Sequence, residues 1–316
     1  MGPPRIRVLA GAGALAVAAG FLAPLDESFD AIGAFRLHLA VAGAVLTLVA
    51  LGLRDVRTAL LAGAATAVAV ASLGPVWQAP TDPEAPEARD GPALTLVAAN
   101  LYIDNPTPAA LWPALLADAP DVIVTVETTV RQLAAAPPEL DARYPHRVLH
   151  RAEDALRTAI FSRFPLTEGR LHLNNTIAPT GADAVLRVPG AAPLHLVGVH
   201  LSRPDEGLQY RQARALARIT AGHARSLVIG DFNATPWSHA LALAARASRT
   251  QPNGGFRITW RGGYPTALGR LYDPIGQQID HALIPEGIAV EEIAPFALPG
   301  SDHAGLRLRL RLPTAP

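Results

Sequence analysis

Apolar positions are spread unevenly along the chain. Residues 8–25, 37–53 and 58–80 are three stretches without Asp, Glu, Lys or Arg, of 18, 17 and 23 residues. An apolar bilayer core of ~30 Å needs about 17 to 25 helical residues, so each stretch is long enough to cross. Helices buried in a soluble protein show a polar stripe every few residues, and these show none. A cleaved leader over 8–25 would leave the other two stretches unexplained. The pattern predicts an anchor of about three transmembrane helices within residues 1–77, a Pro- and acid-rich linker over 78–92, and a further domain over 93–316.

Beyond residue 93 the period changes. Short β-branched runs at 94–99, 121–126, 158–162, 194–201, 226–229 and 278–284 alternate with helical stretches such as 107–119 and 206–222, which reads as an α/β domain. Residues 306–312 alternate Leu and Arg, as a terminal strand with one buried and one wet face should. No repeat occurs at solenoid periods.

Charge narrows the picture. The 27 basic residues, all Arg, balance 27 acidic ones, which excludes a polybasic or acidic tail. From residue 91 onward 21 Arg face 19 Asp plus Glu, no funnel for a long polyanion. Cysteine is absent, so disulfides, thiolate nucleophiles and Cys-based metal sites are excluded. Arg5 and Arg7 precede the first apolar stretch and Arg54 and Arg57 follow the second, whereas Asp26, Glu27 and Asp30 lie between them. Arginine-bearing loops stay cytoplasmic. This predicts a plasma or inner membrane location with the α/β domain outside the cytoplasm. Gly11, Gly13 and Ala16 match a loose dinucleotide-binding pattern, but inside an apolar stretch with no preceding strand it is a decoy.

The expected strands end in polar residues that packing does not require: Asn100, Glu127, His200, Asp231-Phe232-Asn233, Asp280-His281 and Ser301-Asp302-His303. Such ends are where α/β sheets place their sites. Carboxylates and an amide oxygen are hard ligands suited to Mg²⁺ or Mn²⁺, while a zinc site would call for nitrogen ligands at helix spacing. An Asp can orient or deprotonate water, and an imidazole held by a second carboxylate can stabilise a phosphorane or move a proton. The serine-hydrolase and P-loop motifs are absent from the sequence.

This ordered set, with Gly230-Asp231-Phe232-Asn233 and the late Ser301-Asp302-His303, resembles the endonuclease/exonuclease/phosphatase superfamily, in a membrane-anchored bacterial branch. That superfamily includes DNase I-like nucleases, abasic-site endonucleases, neutral sphingomyelinases and inositol-phosphate phosphatases. The resemblance covers about residues 93–312 and extends to the run 156–166 after the glutamate. It implies a four-layer α/β/β/α sandwich and a metal-dependent phosphoester hydrolase, a phosphodiesterase or nuclease. It implies Glu127 as the main ligand of Mg²⁺ or Mn²⁺, with Asn100 and Asp302 nearby. Asp231 would orient or activate water and Asn233 would hold it or a phosphate oxygen. His303, buttressed by Asp280, would stabilise the transition state or transfer a proton. His200 matches a histidine of the DNase and sphingomyelinase branches that contacts phosphate or the leaving group, which tilts away from abasic-site repair.

His281 is expected to face away from Asp280 by the period of two, and the remaining histidines, without motifs, are expected to be structural. The sequons at Asn174 and Asn233 are weak signals. Nucleic acid, a phospholipid head group or a small phosphoester all remain as substrates. The lipid bilayer is the other expected partner, and no protein partner is predicted. Residues 249–278, with Trp260, Arg261 and Tyr264, are the expected specificity segment. The alternative is a binding or scaffolding module that kept the fold and lost catalysis.

Overall fold

The computed structural model describes residues 3–74, 88, 90–149, 157–172, 178–262 and 275–315. The apolar N-terminal region forms helices α1 (Pro3–Gly20), α3 (Arg36–Gly52) and α4 (Val56–Ala71), with the short α2 (Glu27–Gly33) between α1 and α3. Small residues let these helices approach closely: a Cβ on Gly43 would sit 2.4 Å from Thr66 Oγ1. Apolar side chains cover the outside of this bundle, with Leu15 74% exposed. At one end the Arg7 guanidinium donates to Asp55 at 2.7 Å. At the other, Arg36 donates to Gly20 O at 3.2 Å and to Ser72 O at 3.5 Å, tying the three helix ends together.

The helices differ from the three expected spans. Among the described residues no single helix is long and apolar enough to cross a membrane, although the pair α2 and α3, bent by 48°, passes together. The physical reason lies in the bounds: α1 takes in Pro3 to Arg7 and stops at Gly20, and α4 stops at Ala71. The tail of the third apolar stretch and most of the 78–92 linker lie outside the described residues.

The rest of the chain builds two mixed six-stranded sheets. The first has the order β11-β12-β1-β2-β4-β3, from β1 (Ala93–Asn100), β2 (Val122–Thr128), β3 (His146–Val148), β4 (Arg157–Ser162), β11 (Ala289–Phe296) and β12 (Gly305–Arg311). The second has the order β5-β6-β7-β8-β10-β9, from β5 (Leu166–His172), β6 (Thr180–Leu186), β7 (Leu194–His200), β8 (Ser226–Asp231), β9 (Gln251–Pro252) and β10 (Asp280–Ile284). Each sheet contains one parallel pair, β1/β2 and β7/β8. The crossovers carry α5 (Pro108–Leu116) and α8 (Gln209–Ile219) respectively. Helices α6 (Val130–Ala134), α7 (Pro138–Arg143) and α9 (His239–Ser248) complete the domain.

Alternation along the strands sorts the residues into layers. Leu94, Leu96, Val122, Val124, Leu196, Ile229, Leu306 and Leu308 pack between the sheets. Val97, Ile123 and Phe161 pack outward against α5 and α7 through Leu111, Trp112 and Leu140. Val197, Val199 and Val228 do the same against α8 and α9 through Ala213, Leu216 and Leu241. The arginines of β12 lie on the other face, where Arg309 pairs with Glu292 at 3.4 Å and Arg311 with Glu291. That is the wet face expected of the Leu-Arg alternation.

The α2 segment docks on the α/β domain. Asp30, buried, accepts from the backbone N–H of His239 (3.1 Å) and Ala240 (2.9 Å) in the first turn of α9. Burial raises its pKa above the usual carboxylate value, opposed by those two N–H groups. Tyr210 Oη donates to Ala23 O at 2.8 Å, and the indole of Trp237 to Gly33 O at 2.8 Å. Gln277 Nε2 donates to Ala34 O at 3.1 Å.

Candidate functional site

Strand register assembles the polar ends. In the second sheet His200 stands opposite Asp231 across the parallel β7/β8 pair, and Asp280 stands opposite Asp231 across the antiparallel β8/β10 pair. In the first sheet Asn100 is opposite Val126, one residue before Glu127. These strand ends lie at one edge of the sandwich, where the side chains of both sheets meet.

Two backbone devices aim them. The β2/β4 register shifts between Thr125 and Thr128, and Glu127 within that bulge has a φ of 53°. A bulge with a left-handed residue re-aims a side chain that simple alternation would bury. Gly230, at φ 141°, passes so close to β7 that a Cβ would lie 2.1 Å from Val199 O. Asn233 also has a left-handed φ of 48°, and its Nδ2 donates to Leu201 O at 2.9 Å. Strain of this kind gathers where a site fixes a side chain.

Asn100 is the hub. Its Nδ2 donates to Glu127 Oε1 at 2.9 Å and to Asp231 Oδ2 at 3.0 Å, and it lies 3.4 Å from His303 Nε2. The other Glu127 oxygen accepts from Ile103 N at 2.8 Å. His200 Nε2 stands 3.6 Å from Asp231 and 3.8 Å from Glu127, beyond hydrogen-bonding distance. His303 Nδ1 donates to Asp280 Oδ2 at 2.8 Å, while its Nε2 faces Asp231 Oδ2 at 3.8 Å. Among the described residues, ligand atoms of Glu127, His200 and Asp231 lie within 4.8 Å of one another, as do those of Asp231, Asp280 and His303.

Electrostatics follow from this packing. Burial and the neighbouring Asp280 charge push Asp231 up to about 6. Burial works against a charge on His303, but Asp280 beside Nδ1, with Asp231 and Asp302, overrides it and raises the imidazole to about 10. Two facing carboxylates thus share one imidazolium.

Asp302 is in neither of these groups. Its Oδ2 accepts from the Trp260 indole at 3.0 Å, and its Oδ1 is buried with no hydrogen-bond partner. His281 faces away from the site: its Nε2 donates to Ala234 O at 2.7 Å, and burial lowers it to about 4, a neutral ring bracing the 231–234 turn. Gln209 and Thr259 were not singled out from sequence. Gln209 Nε2 donates to Phe232 O and Asn233 O, and Thr259 Oγ1 accepts from Ile279 N and Asp280 N. Neither carries a spacing signal, because each reaches its partner through tertiary contact. Of the expected specificity segment, residues 263–274, including Tyr264, lie outside the described residues, as does the sequon at Asn174.

The sequence profile of the endonuclease/exonuclease/phosphatase family matches residues 97–303, more than half of the chain and every candidate site residue from Asn100 to His303. No curated protein matches the chain. An endonuclease/exonuclease/phosphatase from Beutenbergia cavernae is 19% identical over 71% of this chain and 72% of its own, with a TM-score of 0.54. A Neisseria 3′ phosphatase solved with a product DNA hairpin is 16% identical over 68% and 98%, with a TM-score of 0.52. Sphingomyelinase C from Streptomyces griseocarneus is 18% identical over 69% and 99%, with a TM-score of 0.50. These likenesses show a shared sandwich fold. With the profile match they place the chain in the endonuclease/exonuclease/phosphatase family.

Proposed function

We propose that the protein is a divalent-metal-dependent phosphoester hydrolase, anchored by α1, α3 and α4 in the plasma or inner membrane with its α/β domain outside the cytoplasm. The observation that carries the hydrolase reading is the Asp280–His303 pair facing Asp231, which Asn100 ties to Glu127. Asp231, raised to about 6, is the group that orients and deprotonates water. Asn233 N donates to Asp231 Oδ1 at 2.8 Å, which turns Oδ2 toward the centre of the site. His303, held as imidazolium by Asp280, offers charge and a proton to the phosphoryl group or the departing oxygen. His200, part-exposed beside Asp231, is placed to contact a phosphate oxygen.

The carboxylate oxygens of Glu127 and Asp302 suit a hard cation, and the buried Oδ1 of Asp302 lacks any hydrogen-bond partner. Asn100 turns its N–H₂ to Glu127 and Asp231 while its Oδ1 accepts from Tyr102 N at 2.9 Å, so it would join Glu127 and Asp302 in holding Mg²⁺ or Mn²⁺ only with that amide turned over. Such an ion supplies Lewis acidity at a phosphoryl oxygen.

Two features support the anchor. Arg7 and Asp55 meet at one end of the bundle, and the loop with Asp26, Glu27 and Asp30 at the opposite end, which also holds Arg36, is the one that touches the α/β domain. This contact supports a domain on the side that the loop arginines assign to the exterior.

The test uses the full chain in detergent with a chromogenic phosphodiester, comparing Mg²⁺, Mn²⁺ and chelator, and Asp231→Ala as control. Turnover that needs metal and disappears in the variant is expected. A folded protein that neither turns over nor binds metal would return the binding-module alternative.

A further inference from the structure

We propose that the α2 segment holds the mouth of the site against the bilayer, so that the substrate is the phosphoester head group of a membrane-resident amphiphile rather than a phosphoester free in solution. This rests on the anchored-hydrolase reading above and names its substrate class.

The contacts of α2 are all made at one edge of the sandwich. Asp30 meets the first turn of α9, the helix that follows β8 and Asp231. Glu27 and Ala23 meet Tyr210, in the first turn of α8, the helix that follows β7 and His200. Helices that follow parallel strands begin where those strands end, at the edge that carries the site. The bundle therefore covers the site edge rather than the far edge, where His195 and Ser226 begin their strands.

A short path joins the bundle to the reacting groups. Ala34 lies two residues before the start of α3 and accepts from Gln277. Gln277 pairs with Trp260, and Trp260 pairs with His303. From Gln277 to His303, two such strand spacings are about 10 Å.

The surface beside the mouth fits the same occupant. Among the described residues of the α/β domain, the large apolar side chains left exposed are Ile103, at 39%, and Val130, at 58%. Both flank Glu127: Ile103 N donates to its carboxylate, and Val130 follows three residues on. Exposed apolar side chains on either side of Glu127 offer contact to acyl chains at a bilayer surface. Arginines near the mouth are engaged by the protein itself, Arg203 by Asp205 and Glu206 and Arg131 by Asn105 O. A long polyanion would need several such cations for its phosphates.

The chain's lack of cysteine permits the test. Full-length Ile103→Cys, Val130→Cys and Arg225→Cys, each carrying one fluorophore, are reconstituted in vesicles of phosphatidylcholine, phosphatidylethanolamine and phosphatidylglycerol with a head-group nitroxide quencher. Quenching at 103 and 130 at least twofold above that at 225, on the far edge, is expected, and equal quenching would overturn the proposal. Unmodified protein in the same vesicles is then offered vesicle lipid, a soluble short diester and a DNA oligonucleotide at equal phosphoester concentration. Release of lipid head groups at least tenfold faster than cleavage of either soluble substrate supports it. Preference for the diester or DNA overturns it while leaving the hydrolase reading standing. No turnover of any of the three sinks both.

Discussion

Replacing Asp280 with Asn separates the charge of the Asp280–His303 pair from its shape. The amide keeps a hydrogen-bonding group 2.8 Å from His303 Nδ1 but removes the negative charge that overrides burial. The rise of His303 from 6.5 to about 10 reflects several kcal/mol in favour of imidazolium, at about 1.4 kcal/mol per pH unit. Without Asp280, burial drives the ring toward its neutral form. Asp231 loses a like charge at the same time, but it also loses the imidazolium that lowered it, and burial, the main cause of its rise, is unchanged, so it stays above the ordinary carboxylate range. The variant therefore recovers its imidazolium only at lower pH. Loss of a positioned acid costs about 10²–10⁴ in rate, so kcat near pH 8 should fall by that order with KM little changed. The ratio of variant to native kcat should then rise steadily as pH is lowered from 8 to 5. The assay is the pH profile of kcat on a soluble phosphodiester with saturating metal. A ratio that is flat or falls with acid would refute the assignment of His303 as a charged participant.

Other outcomes follow from the same geometry. Glu127→Gln should weaken Mg²⁺ or Mn²⁺ binding by calorimetry at least about tenfold, since it removes the charge of the ligand that the β2 bulge aims inward; unchanged affinity would remove Glu127 from the ligand set. Gly230→Ala should destabilise the fold by at least about 2 kcal/mol in denaturant unfolding, because its Cβ meets Val199 O at 2.1 Å on a backbone at φ 141°; a neutral change would show that β8 can shift. Away from the site, hydrogen bonds from His172 and His195 outweigh burial and hold Asp183 down at about 2. A depressed carboxylate contributes stability above its ordinary 3.8 that is lost as pH falls toward 2. Asp183→Asn should therefore flatten the acid limb of a thermal-unfolding profile between pH 4 and 2, and an unchanged limb would refute this.

Much of this architecture could be read from residue patterns because it depends on them locally. The β1, β7 and β8 runs are β-branched and end in polar residues, so both the strand and its terminal side chain are visible at once. The Leu-Arg alternation of β12 works the same way. Strand β5, with Thr167, Glu168 and Arg170 on an exposed edge, and strand β6, interrupted by Gly181 and Asp183, have no such pattern. Their pairing comes from the sheet they join. The left-handed turn at Glu127 was equally hidden, since a Glu there looks like any strand end. Spacing alone could not reveal that Asn100 reaches across to Asp231, because 131 residues separate them. The docking of Asp30 on α9 was invisible for the same reason.

That docking bears on how the chain is made. The segment 23–34 leaves the ribosome roughly two hundred residues ahead of the groups it grips, with separations of 187, 204, 209 and 243 residues to Tyr210, Trp237, His239 and Gln277. Contacts so distant in sequence are slow to form by diffusion of a free chain. A helical hairpin already in place during synthesis would instead act as a waiting template, and the last strands would close onto it. The first turns of α8 and α9 are then completed by residues translated long before them, and a catalytic domain expressed without residues 3–74 should refold more slowly and leave Tyr210 and Trp237 open to solvent.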